Sequence, residues 1–132
     1  GLEDASAKAV LNANYLAERL DCEIPYGPFH HEFAATAGDR DAADVAKQML
    51  DHGVHPPTTK WPEFVPEAML TEPTEAENRE SLDDLAAAFN AAFDADADAL
   101  ESAPTKTTAR RIDQADAARD PQLSWRALDE EE

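Results

Sequence analysis

The sequence predicts an α+β domain of two layers, a short antiparallel sheet with its helices on one face. Three observations predict it. Stretches with helical and extended patterning follow one another in the order helix, strand, helix, extended edge, strand, helix. The large hydrophobes gather in those stretches, while alanine supplies much of the remaining apolar content. At 132 residues the chain can bury one modest core and not two.

Each element has its own signals. From about Ala5 to Leu20, the apolar positions Val10, Leu11, Leu16 and Leu20, with Tyr15 beside them, recur at helical spacing in an alanine-rich stretch free of Gly and Pro. That predicts a helix with one buried face. Pro25, Gly27 and Pro28 break it, and Phe29 to Ala37, centred on Phe33, reads as a strand. Asp41 is placed to cap a second helix with Val45, Met49 and Leu50 on its core face, and Gly53 sits just past its end, where left-handed backbone is wanted. Prolines between Val54 and Pro66 exclude a central strand, while Thr58, Thr59 and Trp61 favour extended backbone, so this is an edge strand or an ordered loop. Ala68 to Thr71 is a short strand running into Glu72-Pro73-Thr74. Thr74 with Glu77 spells a capping box for a third helix, on which Leu82, Leu85, Phe89 and Phe93 fall at spacings of three and four.

On this reading residues 1–93 form the domain and residues 94–132 an acidic linker and tail, poorly packed when isolated. Asp and Ala alternate as far as Ser102, and Pro104 to Thr108 is polar without a period. Ile112, Leu123, Trp125 and Leu128 are apolar residues that a purely solvated tail does not need, and they give part of it something to dock with.

The formal charge is −18, from 29 acidic and 11 basic residues, which excludes a nucleic-acid partner because phosphate binding rests on Lys and Arg. Only Asp129-Glu130-Glu131-Glu132 is a pure acidic run. An excess so dispersed is a solvation property of the whole surface, suited to a salt-rich cytoplasm where screening removes self-repulsion; the competing reading is a dedicated basic partner. Cys22 is the only cysteine, so no internal disulfide forms and a reducing, cytoplasmic setting is expected. No apolar run approaches the roughly 18 residues of a membrane span, and no signal-peptide pattern opens the sequence.

Three constellations could carry chemistry. His30, His31 and Glu32 with His52 and His55 raise a metal site, but strand neighbours point to opposite faces and Gly53 interrupts the helix that His52 and His55 would need to share. No metal is expected. Glu72, Glu75 and Glu77 crowd a helix start, where a capping box and the helix dipole account for Glu75 and Glu77 but not for Glu72 at a strand end. Cys22 lacks an electropositive niche, and the four glycines stand apart from one another, so neither a thiol nucleophile nor a phosphate loop is expected.

The same blocks, in order, resemble the C-terminal domain of the glycine cleavage P-protein, glycine dehydrogenase (decarboxylating), in its pyridoxal-phosphate-carrying second subunit. Val10-Leu11-Asn12-Ala13-Asn14-Tyr15-Leu16 with Arg19-Leu20 is similar to the family's A-V-L-N-A-N-Y-L and trailing R-L, and His31-Glu32-Phe33 to its H-E-F. Gly53-Val54-His55-Pro56-Pro57-Thr58 resembles G-F-H-A-P-T, and Leu70-Thr71-Glu72-Pro73-Thr74-Glu75-Ala76-Glu77 resembles M-I-E-P-T-E-S-E, with Pro62 between them. Arg111-Ile112-Asp113, Ala117-Ala118-Arg119 and Leu123-Ser124-Trp125 look like the subunit's closing R-L-D, A-A-R and L-x-W. The departures are Pro56 for alanine and Ala76 for serine, the second removing a hydroxyl.

This resemblance implies the small domain of a fold-type-I pyridoxal-phosphate enzyme that decarboxylates glycine and passes the aminomethyl group to the lipoyl arm of an H-protein. Its partners would be the large cofactor-binding domain, the other P-protein subunit and the H-protein. The family's Schiff-base lysine belongs to an H-K-T motif before a glycine-rich run, a pattern that none of Lys8, Lys47, Lys60 and Lys106 matches. No catalytic or cofactor-binding residue is therefore assigned within this chain, which is expected to be inactive alone and to bind no cofactor. The small domain would close one side of the active-site cleft, with His55, Thr58 and Glu72 as cleft-lining candidates. The alternative is a free-standing acidic interaction module without a cofactor.

Overall fold

The computed structural model of the chain describes residues 1–121 and 123–124. Helix α1 (Leu2–Ala17) is followed by β1 (Phe33–Thr36), α2 (Ala42–Asp51), β2 (Thr58–Thr59), β3 (Ala68–Thr71), α3 (Arg79–Asp94) and the shorter α4 (Ala97–Ser102) and α5 (Gln114–Arg119). The strands form one antiparallel sheet in the order β1-β3-β2, with Phe33 opposite Thr71, Ala35 opposite Met69 and Thr58 opposite Leu70. One core holds the molecule together. Phe33, Ala35 and Met69 meet Leu16, Val45, Met49, Phe89 and Phe93 from the three long helices. This is the two-layer α+β architecture expected of the sequence.

Several boundaries move, each for a physical reason. Helix α1 runs Leu2–Ala17, and the chain turns at Glu18, so Leu20 reaches the core from the turn. Its buried stripe is Asn12, Ala13, Leu16 and Ala17, whereas Val10 and Leu11, expected inside, are 36% and 66% exposed. The strand expected over Phe29–Ala37 is confined to Phe33–Thr36, because the loop before it is tied to α1: Phe29 packs on Phe33 with ring centroids 5.6 Å apart, and its carbonyl accepts from Asn14 Nδ2 at 2.9 Å. Helix α2 follows its signals. The Asp41 carboxylate accepts from the amides of Ala43 and Asp44, and Gly53 takes φ +80° beyond the end.

The cap of α3 is Asn78, paired reciprocally with Ser81, and not Thr74 with Glu77. Thr74 instead starts a separate turn in which its carbonyl accepts from the Glu77 amide. The segment from 94 onward also departs from the linker expected by composition. Leu100 and Ala103 are buried, α4 packs on α2, and the Arg111 guanidinium donates to the carbonyls of Leu100 and Ala103 and to Asp44. Alternation of Asp with Ala hid a short helix that needs one leucine and one alanine to anchor it. Beyond it, α5 buries nothing, and Ile112 and Leu123 are 69% and 88% exposed. Trp125, Leu128 and the acidic run at 129–132 lie outside the described residues.

Candidate functional site

His55, Thr58 and Glu72, named together as cleft-lining candidates, border one concavity of about 370 Å³. Different elements deliver them. The left-handed turn at Gly53 leads the chain out of α2 and leaves His55 exposed in the extended segment that becomes β2. Thr58 is fixed by pairing with Leu70, and Glu72 follows the last residue of β3, held between buried Thr71 and buried Pro73. Leu85 and Phe89 of α3 supply apolar floor, and Glu32 and Glu77 join Glu72 as carboxylates of the wall. His31 stands behind Glu72, with Nε2 4.0 Å from its Oε1. Among the described residues no three His, Cys, Asp or Glu side chains converge as metal ligands.

Two asparagines of α1 position this region, and sequence reasoning gave them no role. Asn12, buried, donates through Nδ2 to the carbonyls of Thr74 at 2.8 Å and Glu77 at 3.3 Å, which pins the turn after Glu72. Asn14 holds the Phe29 carbonyl, one residue before His30-His31-Glu32. The signal for both was an asparagine inside an apolar helical run, where it lacks a capping job and has to find a partner. A second such anchor is Asp51, whose buried carboxylate accepts from the amides of Thr105 and Lys106 at 2.7 Å and from the Thr105 hydroxyl at 3.0 Å. Burial alone would raise its pKa, but the Lys106 and Thr105 hydrogen bonds outweigh that and hold it below the ordinary carboxylate value.

The cleft's chemistry is that of a wall. Its charged residues are three glutamates and its only other ionisable group is His55, so it repels a phosphate ester and offers no amine for an aldehyde. The lysines with described partners are engaged elsewhere, Lys60 with Asp41 at 2.8 Å and Lys106 with the Asp51 carbonyl at 2.9 Å. The residues that line this cleft therefore do not fit pyridoxal phosphate by themselves. Burial pushes the half-buried Cys22 thiol up to about 11, with Asp21 adding to the effect, so it is no ready nucleophile. No helix among the described residues is long and apolar enough to cross a membrane.

Residues 5–116 match the family model described as glycine dehydrogenase, C-terminal domain. A probable glycine dehydrogenase (decarboxylating) subunit 2 from Halobacterium salinarum is 72% identical over 98% of this chain and 27% of its own length. Proteins of the same description from Thermotoga maritima and Thermoplasma volcanium are 45% and 42% identical over 96% and 95% of this chain, again covering 29% and 28% of their own lengths. The chain thus spans little more than a quarter of these relatives. With both the family model and the relatives matching across the fold just described, the chain belongs to the glycine dehydrogenase C-terminal domain family.

Proposed function

We propose that this chain is the small domain of a glycine dehydrogenase (decarboxylating) subunit 2, and that it walls the active site of a pyridoxal-phosphate enzyme whose cofactor is held by a large domain. The observation that carries this reading is the convergence of His55, Thr58 and Glu72 in one cleft, within a chain 72% identical to such a subunit. When bound, the cofactor supplies an electron sink for loss of carbon dioxide from glycine. The domain's residues do something simpler. Pro56, Pro57 and Pro73 give the cleft stiff apolar sides, Leu85 and Phe89 exclude water from its floor, and His55, Thr58 and Glu72 present polar groups toward the bound substrate. An acidic wall also favours a neutral or cationic amine over a second anion near the reacting carbon.

The partners on this reading are the large domain, the other P-protein subunit and the lipoyl H-protein. The alternative of a free-standing acidic module has the 72% identity to an enzyme subunit against it. Titration with pyridoxal phosphate tests the assignment. The isolated chain should stay colourless and release no carbon dioxide from glycine, while a full-length subunit 2 containing it should absorb at about 400 nm once it has bound the cofactor. An isolated chain that binds the cofactor with that absorbance would overturn the division of labour.

A further inference from the structure

The sheet has a second face. Residues opposite one another on antiparallel strands share a face, so Ala34, Leu70 and Thr58 lie together on the side away from Phe33, Ala35 and Met69, which meet the helices. The loop before β3 reaches over one end of that side: Val65 is buried, and Thr36 Oγ1 donates to the Pro66 carbonyl at 2.6 Å. The rest is an open concavity of about 600 Å³, lined by Ala34 and Leu70 together with Tyr26, Phe29, Pro62 and Phe64, and no residue of its lining belongs to a helix.

This surface is unusual for the molecule that bears it. Tyr26 and Phe64 pack edge to face at 5.8 Å yet remain 59% and 71% exposed, and neighbouring Trp61 is 54% exposed. In a chain with 29 acidic residues, a single carboxylate, Glu32, lines the concavity. A surface meant for water would carry its share of charge; the core of a protein interface is the place where charge is depleted and aromatic side chains are enriched. The relatives say what is available to cover it, since more than two thirds of each one's length lies outside the part this chain matches. A sheet covered by helices on one face satisfies its other face against another layer.

We propose that the open sheet face is buried in the complete subunit by the remainder of the same polypeptide, with Tyr26, Phe64 and Leu70 as its anchors. This rests on the reading of the chain as one domain of a larger subunit. Glu32 and Leu70 line both the concavity and the cleft of His55, Thr58 and Glu72, so docking this face sets the mouth of the cleft against that same neighbour.

Cysteine labelling tests it. In a full-length subunit 2 containing this domain, with Cys22→Ser as background, Phe64→Cys is compared with Leu11→Cys, a position 66% exposed against 71% for Phe64 within the domain. Alkylation of each site is read by mass spectrometry on its peptide, in native and denaturing buffer. The account expects native labelling at Phe64→Cys to be slowed by roughly tenfold or more relative to denaturant, at every protein concentration, with Leu11→Cys marking what an uncovered site does. Equal rates in native and denaturing buffer at Phe64→Cys would overturn the proposal. So would protection that disappears on dilution, which would assign the face to a second copy. Glycine decarboxylation by the same protein is measured separately: its absence would count against the proposed function and leave the labelling result intact.

Discussion

At the scale of single residues, the structure is held at two places by polar side chains inside an apolar setting. Asp51 is the stronger case. Replacing it with Asn leaves the amides of Thr105 and Lys106 facing a weaker acceptor, and the expected cost is about 1–3 kcal/mol in a urea melt at neutral pH. Its pH dependence follows from the lowered pKa. The folded state binds this proton less readily than the unfolded chain, so the stabilisation is complete above the unfolded value of about 3.9 and is lost as pH falls through the lower folded value. The stability gap between wild type and Asp51→Asn should accordingly narrow as melts are repeated from about pH 5 down to about pH 2; a gap that widens would contradict the assignment. Cys22 gives a second prediction: with its thiol raised from 9.0 to about 11, alkylation near pH 8 should run about a hundredfold slower than for a free thiol. The inertness of Cys22 is expected of a thiol in an acidic chain, whereas the role of Asp51 is not legible in the sequence. A buried carboxylate announces itself through partners 54 and 55 residues away, and sequence shows the residues but not the contact.

At the scale of elements, legibility tracked how local the deciding interaction is. Helix α2 is set by an Asp cap at one end and a glycine at φ +80° at the other, both within a few residues, and the structure matches the sequence there. For helix α3, Thr74 with Glu77 spells the usual capping box while Asn78 with Ser81 lacks its Glu at the third position, yet the chain path gives the cap to Asn78. The difference has measurable consequences. Asn78→Ala should cost about 1 kcal/mol in a chemical melt, within the usual range for a lost cap, while Thr74→Ala should cost well under that. Equal costs would restore Thr74 as the cap. Phe89, fully buried on the same helix and part of the cleft floor, should cost about 3–5 kcal/mol when cut to alanine. The misplacement of Leu11 has the same origin: helical spacing identifies a stripe, but Asn12 on the neighbouring stripe is recruited inward by the carbonyls of the 74–77 turn.

At the scale of the whole molecule, composition and block order carried most of what was read correctly, because charge and topology are properties of the entire chain. The charge of −18 makes self-repulsion a property of the whole surface, and salt is expected to relieve it. Raising KCl from about 0.1 M to about 1 M shortens the screening length from about 10 Å to about 3 Å, and the thermal midpoint should rise as self-repulsion fades. A midpoint that falls would contradict that view. What composition could not reveal was that His55, Thr58 and Glu72 share a cleft, since turn, edge strand and strand end meet only in three dimensions. Whether that cleft serves the enzyme is tested most directly by glycine-dependent release of carbon dioxide in a full-length subunit 2, with its partner subunit and H-protein, carrying His55→Ala, Thr58→Val or Glu72→Gln. The account predicts turnover lowered by roughly tenfold or more in at least one variant while unfolding free energies from urea melts stay within about 0.5 kcal/mol of wild type. Turnover unchanged in all three, or lost only in step with stability, would contradict it.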